Sequence, residues 1–203
     1  MMKKYFQIVA RVFVILIFTG LIRSVAENSQ EQGSEVHQLF LADQGDREKF
    51  KGIIGSATEM QKIKQRDKQR QARVRKLLVS GALKTGQDYR DAAFIFQHGD
   101  QPDDYLLAHT LAMASIAKGD QEGRWMAAAT LDRYLQSLKK PQIFGTQYSK
   151  QGTKAAYTQE PFNRDLITDA LREVLCVPRR DQQQKDLDKL NKNQTPEALN
   201  GCT

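Results

Sequence analysis

Apolar residues recur along most of this chain with the period of an α-helix, and no segment shows the sustained alternation of a β-strand. The clearest case follows Thr85, where Tyr89, Ala92, Ala93 and Phe96 fall on one face. Thr85 also stands three residues before an acid, which is the spacing of a capping box. This segment is therefore predicted to be an amphipathic helix that begins at Thr85.

The same pattern predicts further helices. They are a short helix or pair of helical turns at 36–50, a helix from Thr58 to about Ser80, one opened by Pro102, one at 121–139, one from Asn163 to about Leu175, and a polar helix at 180–191. Short loops between the three central helices require antiparallel packing. We predict an all-α fold of antiparallel helical hairpins, either a bundle or a short repeat-like array.

Two of these helices carry specific expectations about burial. Residues 64–73 contain only Ala72 as an apolar residue, so we expect the centre of the long helix to be solvated and its ends to pack. The helix after Asn163 is expected to bury an apolar face. That face comprises Ile167, Leu171, Val174 and Leu175.

The amino-terminal segment 1–26 has the pattern of a secretory signal peptide. Basic residues precede the apolar run VFVILIFTGLI at 12–22, and the small residues of Ser24-Val25-Ala26 follow it. The alternative is an uncleaved anchor in the inner membrane formed by residues 8–22. Either alternative places the body of the protein outside the cytoplasm, in the periplasm or secreted.

The domain organisation follows from these segments. It comprises a signal peptide or anchor at 1–26, a lead-in with a short helix at 27–57, an all-α domain at 58–192 and a disordered tail at 193–203.

The charge of the chain is concentrated in two places. The 203 residues include 31 Lys and Arg against 24 Asp and Glu, a net charge of +7. Residues 1–26 hold four of the bases and no acid, so the mature chain has 27 bases against 24 acids. Residues 59–84 alone hold nine bases and two acids, and the rest of the mature chain is close to balanced. This basic segment favours either an anionic membrane surface or a solvated helix face. Nucleic acid is an unlikely partner for an exported protein.

His98 and Asp100 are the first candidates for chemistry. A carboxylate beside an imidazole can orient it for proton transfer, and Asp132 or His109 would complete such a group across the predicted hairpin. The alternative is that His98 and Asp100 cap their own helices. No spacing of these residues matches a known zinc signature, and the sequence indicates no cofactor.

The segment from Gln142 to Gln147 is predicted to be irregular and to turn at Gly145. Gly145, Thr146 and Gln147 would offer backbone amides and polar side chains to a ligand. Alternatively, the segment is a structural turn in which Gln142 and Gln147 satisfy the backbone of the loop.

The chain has two cysteines, Cys176 and Cys202. In an oxidising compartment they would form a disulfide that ties the tail to the preceding helix. The alternative is two unpaired thiols.

Several of these motifs together resemble a bacterial family of unknown function. The resemblance rests on Gln97-His98-Gly99-Asp100, Ala108-His109, Asp132-Arg133 and Gln142-Ile-Phe-Gly-Thr-Gln147, with Asp67 and Arg70 upstream. It covers roughly residues 60–175 and implies a shared fold and candidate ligand-binding positions, but no reaction. These positions are Gln97, His109, Arg133, Gln142, Gly145, Thr146 and Gln147. The 103–139 hairpin also resembles, more weakly, a single tetratricopeptide-type unit.

Three functions stay open at this point. The first is an exported helical module that binds an unknown protein or small ligand. The second is an extracytoplasmic hydrolase that uses His98 and Asp100 with the help of Asp132. The third is a membrane-surface protein that uses residues 59–84.

Overall fold

The structure is a computed structural model that describes residues 33–50, 57–152 and 155–196. The predicted signal peptide or anchor at 1–26 and Cys202 in the tail lie outside these residues.

The described residues form seven helices and no β-strand, which confirms the all-α prediction. The helices are α1 (Glu35–Phe50), α2 (Ala57–Val79), α3 (Gly86–Phe96), α4 (Pro102–Ala117), α5 (Gly123–Ser137), α6 (Asp169–Val174) and α7 (Arg180–Asn191). Between α5 and α6 the chain is irregular and holds two isolated bridges.

Helices α3, α4 and α5 pack against one another in sequence and form the centre of the fold. Helix α3 begins with the predicted capping box, in which Thr85 accepts from the amide of Asp88 and Asp88 accepts from the amide of Thr85. Helix α4 begins with Pro102, and α5 approaches it closely at Gly123, where a Cβ would lie 2.9 Å from the Ser115 hydroxyl. These local signals produce the predicted antiparallel hairpins.

The main hydrophobic core lies around α3. Ile95 and Phe96 of this helix are fully buried, and α1, α2, α4 and α5 all pack against it. Small side chains fill the α4–α5 contact. The buried members of the core are Val36, Val74, Leu77, Leu83, Ala92, Ala93, Ile95, Phe96, Ala108, Leu111, Ala112, Met126 and Ala127.

The centre of α2 is solvated on one face only. Most of residues 64–73 are exposed, as expected, but Asp67, Arg70 and Gln71 are buried. The prediction was wrong for these three because they have polar partners: Arg70 donates to Asp46 of α1, and Gln71 donates to the carbonyl of Ile95. Burial of a charged residue is tolerated when it is paired in this way.

The predicted helix from Asn163 is much shorter. It begins after Thr168, whose hydroxyl accepts from the amide of Leu171. The predicted apolar face is wrong for Leu171 and Val174, because both are exposed. Ile167 and Leu175 do pack against a small core around Phe144 and Val177. The fully buried residue of α6 is Arg172. Arg172 donates to the backbone carbonyls of Ile167 and Phe144 and so ties α6 to the loop after α5.

Within the part of the chain that the structure describes, none of the helices is both long and apolar enough to cross a membrane.

Candidate functional site

His98 is paired with Asp43 of α1 and not with Asp100. It follows Gln97, the C-cap of α3, and its Nδ1 atom lies 3.1 Å from Oδ2 of the fully buried Asp43. Asp100 is exposed, accepts from Gln101 and lies 3.5 Å from the ammonium group of Lys68. The predicted His98–Asp100 pair is therefore not formed, because α1 packs on α3 and supplies the carboxylate.

Asp43 belongs to a charge cluster between α1 and α2. Arg47 lies 2.9 Å from Asp43 and 3.0 Å from Asp67. Arg70 bridges Asp46 and Asp67, with 2.8 Å to each. Arg66 completes the cluster at 2.8 Å from Asp46. The three carboxylates are thus balanced by three guanidinium groups.

The charge state of His98 follows from its surroundings. Burial lowers the pKa of His98, the hydrogen bond with Asp43 acts in the opposite direction, and the charges of Arg47 and Arg133 lower the pKa further. The imidazole is therefore neutral at neutral pH. With Nδ1–H assigned as the donor to Asp43, the lone pair lies on Nε2, as in a general base.

The space beside His98 is small. A cleft of about 60 Å³ lies between His98 and the polar residues of α2, including Lys64, Lys68 and Asp67. This volume corresponds to about two water molecules. Asp100 lines this cleft together with His98, but Asp132 and Gln147 do not. The predicted catalytic group of His98, Asp100 and Asp132 is therefore not complete there.

Asp132 organises the loop after α5. Its fully buried carboxylate accepts from the amides of Ile143, Phe144 and Thr146 at 2.8–3.0 Å and from the Thr146 hydroxyl at 2.8 Å. Burial raises the pKa of Asp132, and the three amide hydrogen bonds oppose that shift. Both carboxylate oxygens are used by the fold.

The other residues of this loop have structural roles as well. Gln142 accepts from the amide of Gln147 and donates to the carbonyls of Gln147 and Gln159. The Gln147 amide group donates to the Ala129 carbonyl of α5. Gly145 has a φ of +79°, and its carbonyl accepts from Gln159. The geometry favours the structural interpretation of the predicted turn.

Two further predicted ligand-binding residues lie within the packed fold. Nδ1 of His109 lies 2.9 Å from the Ala127 carbonyl and joins α4 to α5, and Gln97 is buried at the end of α3. Among the described residues, no group of three or more His, Cys, Asp or Glu side chains is placed to hold a metal ion.

Arg133 differs from the other candidates. Its Nε atom is enclosed and has no hydrogen-bond acceptor, and Arg133 makes no ion pair with any described residue. It lies within electrostatic reach of Tyr105 and Arg47. Burial lowers the pKa of this guanidinium.

A second concavity was not predicted from the sequence. It is a groove of about 500 Å³ whose aromatic lining comes from Phe40 of α1, Phe94 of α3 and Trp125 of α5. Its polar lining comprises Arg90, Gln121, Glu122 and Arg124, and Cys176 lies at its edge. The only available signal was the single tryptophan of the chain on the predicted stripe of α5.

Cys176 is buried and has a φ of +55°. Its predicted disulfide partner, Cys202, lies outside the described residues, so the pairing stays a prediction.

Comparison of the chain with protein-family models, curated proteins and solved structures finds no match. The resemblance to a bacterial family therefore stays a prediction, and the function must be argued from the geometry.

Proposed function

We propose that this protein is an exported helical module that binds a peptide segment of a partner protein in the groove between α1, α3 and α5. One observation carries the proposal. Trp125 lines that groove, and its buried indole N–H has no acceptor among the described residues. A buried tryptophan N–H normally has a partner, and leaving one unpaired costs about 1–3 kcal/mol.

The groove has the shape of a binding site because α1 and α5 both pack on α3. Phe94 of α3, Phe40 of α1 and Trp125 of α5 line it, and Phe40 packs on Phe94 with the ring centroids 5.2 Å apart. The groove volume of about 500 Å³ is within the usual range for ligand sites and admits one or two apolar side chains.

The polar rim narrows the chemistry of the partner. Arg90 is neutralised by Asp120 and Glu122. The hydrogen bonds of Arg124 go to the backbone carbonyls of Gln121 and Val174, so among the described residues no carboxylate balances its charge. A peptide that inserts an apolar side chain, accepts from Trp125 and places an acidic residue near Arg124 would satisfy each of these groups.

The proposal is tested by selecting peptides from a displayed random library on the purified protein. Selected peptides should combine an aromatic or aliphatic residue with a nearby acid. Because Trp125 is the only tryptophan, its fluorescence should change on binding. Selected peptides that leave this fluorescence unchanged, or that lack the expected pattern, would contradict the proposal.

Two substitutions sharpen the test. Trp125→Phe keeps an aromatic ring but removes the donor, so the affinity for a labelled peptide should fall about threefold to tenfold while the folded state is retained. Arg124→Gln should weaken acidic peptides selectively. Arg164→Gln is the matched control, because Arg164 is paired with Glu160 and does not line the groove.

Export is part of the proposal and is supported by the pattern of residues 1–26. Cell fractionation and the mass of the purified protein test it. We expect an extracytoplasmic protein that begins at Glu27. An intact amino terminus in the membrane fraction would favour the anchor at residues 8–22 instead.

We do not extend the proposal to a membrane surface. Most basic side chains of α2 have carboxylate partners, which leaves little unpaired positive charge on this helix. The pairs are Lys62–Glu59, Arg66–Asp46, Lys68–Asp100, Arg70–Asp67, Arg73–Glu35 and Arg75–Asp104.

A further inference from the structure

We infer that Arg133 of α5 is the cation of a second binding site, which takes an oxyanion in the form of a carboxylate or phosphate group. This site lies about 12 Å further along α5 than Trp125 and does not depend on what occupies the aromatic groove.

The first argument is the missing partner. A guanidinium carries five donors and is normally paired when it is buried. Nε of Arg133 is enclosed without an acceptor, and no described carboxylate pairs with the side chain. The residue as a whole is only partly buried.

The second argument is the charge balance of the neighbourhood. Arg47 lies within electrostatic reach of Arg133, but both of its terminal nitrogens are already used by Asp43 and Asp67. The carboxylates of the α1–α2 cluster are likewise matched by its own guanidinium groups. Arg133, in contrast, has no counterion among the described residues.

The third argument is the setting of Arg133. Its charge interacts with Tyr105 of α4, Arg47 of α1 and His98 after α3. Tyr105 donates to the Gly99 carbonyl and so joins α4 to the segment that follows α3. A planar guanidinium in surroundings that supply it with no carboxylate suits bidentate recognition of a carboxylate or phosphate group.

The test uses the purified protein in chloride, acetate and inorganic phosphate at constant pH and ionic strength. Acetate or phosphate should raise the Tm of the wild-type protein above its value in chloride, and the salt with the larger effect identifies the preferred group. Isothermal titration with that anion measures the affinity. An absence of any difference between the three salts would overturn the inference.

Arg133→Met separates binding from a structural role. It keeps the aliphatic stem and removes the unpaired charge, so the Tm in chloride should rise by roughly 2 °C or more while the anion effect disappears. A structural arginine would give the opposite change in chloride. A lower Tm in chloride, or a retained anion effect, would refute the inference.

Two more variants complete the design. Arg133→Lys keeps the positive charge but loses the paired N–H donors of the guanidinium, so the affinity of this variant for the anion should fall about tenfold. Arg73→Met removes an exposed arginine that is paired with Glu35, and it should keep the full anion effect. Loss of that effect in Arg73→Met would mean that the response reflects overall charge, which also contradicts the inference.

Discussion

Replacement of Asp132 by alanine should destabilise the protein more than any other exchange of an aspartate for alanine in the loop and hairpin region. The buried carboxylate accepts hydrogen bonds from three backbone amides and one hydroxyl at 2.8–3.0 Å. Hydrogen bonds to a charged group contribute about 1.5–3 kcal/mol each, and the freed amides regain only part of this from water. We expect a loss of roughly 3–5 kcal/mol, a large fraction of the 5–15 kcal/mol of an ordinary domain.

The measurement is equilibrium unfolding in urea, followed by the fluorescence of Trp125 on the same helix. Asp132→Asn keeps one acceptor oxygen and should lose about half as much. Asp165→Ala is the control. The Asp165 side chain is 97% exposed, and its one ion pair among the described residues, with Arg180, is long at 3.5 Å, so no measurable loss of stability is expected.

Urea unfolding does not detect a local opening of the loop. Hydrogen exchange of the Ile143, Phe144 and Thr146 amides does detect it, and all three amides should exchange faster in Asp132→Ala. If the unfolding free energy and the exchange of these amides both match the Asp165→Ala control, the structural role of Asp132 is wrong.

Three further predictions concern His98, Gly145 and the two cysteines. Burial lowers the pKa of His98 below its ordinary value of 6.5, so an NMR titration should place its midpoint below 6.5. As the pH drops, the unfolded state takes up the proton first, so His98 makes the free energy of unfolding fall below about pH 6.5. His98→Gln should remove this contribution to the pH dependence of stability. A titration midpoint above 6.5 would contradict the prediction. In urea unfolding, Gly145→Ala should lower the free energy of unfolding by roughly 1–3 kcal/mol more than Gly152→Ala does. Both glycines have a φ near +80°, but a Cβ at Gly145 would lie 2.3 Å from a buried side chain. Equal losses of stability in the two variants would exclude the steric argument. The Cys176–Cys202 disulfide should leave no free thiol in the unreduced, denatured protein, and its reduction should lower the unfolding free energy by roughly 3 kcal/mol; two titratable thiols would refute the pairing.

The sequence predicted those parts of the fold whose signals are local. The Thr85 capping box, Pro102 at the start of α4 and the turn at Gly145 each depend on groups a few residues apart. Steric and hydrogen-bonding preferences act over that range whatever the remainder of the chain does. The antiparallel order of α3, α4 and α5 followed because the loops between them are short.

The candidate site was predicted only in part because its partners are distant in the chain. His98 was identified as a candidate, but its carboxylate comes from Asp43, 55 residues earlier. Nothing in the pattern of α1 distinguishes Asp43 from its exposed neighbours. The Trp125 groove was missed for the same reason, since its aromatic walls belong to three helices that are separated in sequence.

The charge cluster explains why α1 has a defined position despite its weak apolar pattern. Asp43 and Asp46 bind Arg70 and other arginines of α1 and α2, and Asp43 also binds His98. An apolar contact tolerates a shift along the helix, whereas a shift by one turn would leave these buried charges unpaired at a cost of several kcal/mol. The same cluster therefore sets the position of Phe40, which lies one turn before Asp43 and forms a wall of the groove. Residues that looked like a solvated basic helix in the sequence thus hold in place the helix that completes the proposed binding site.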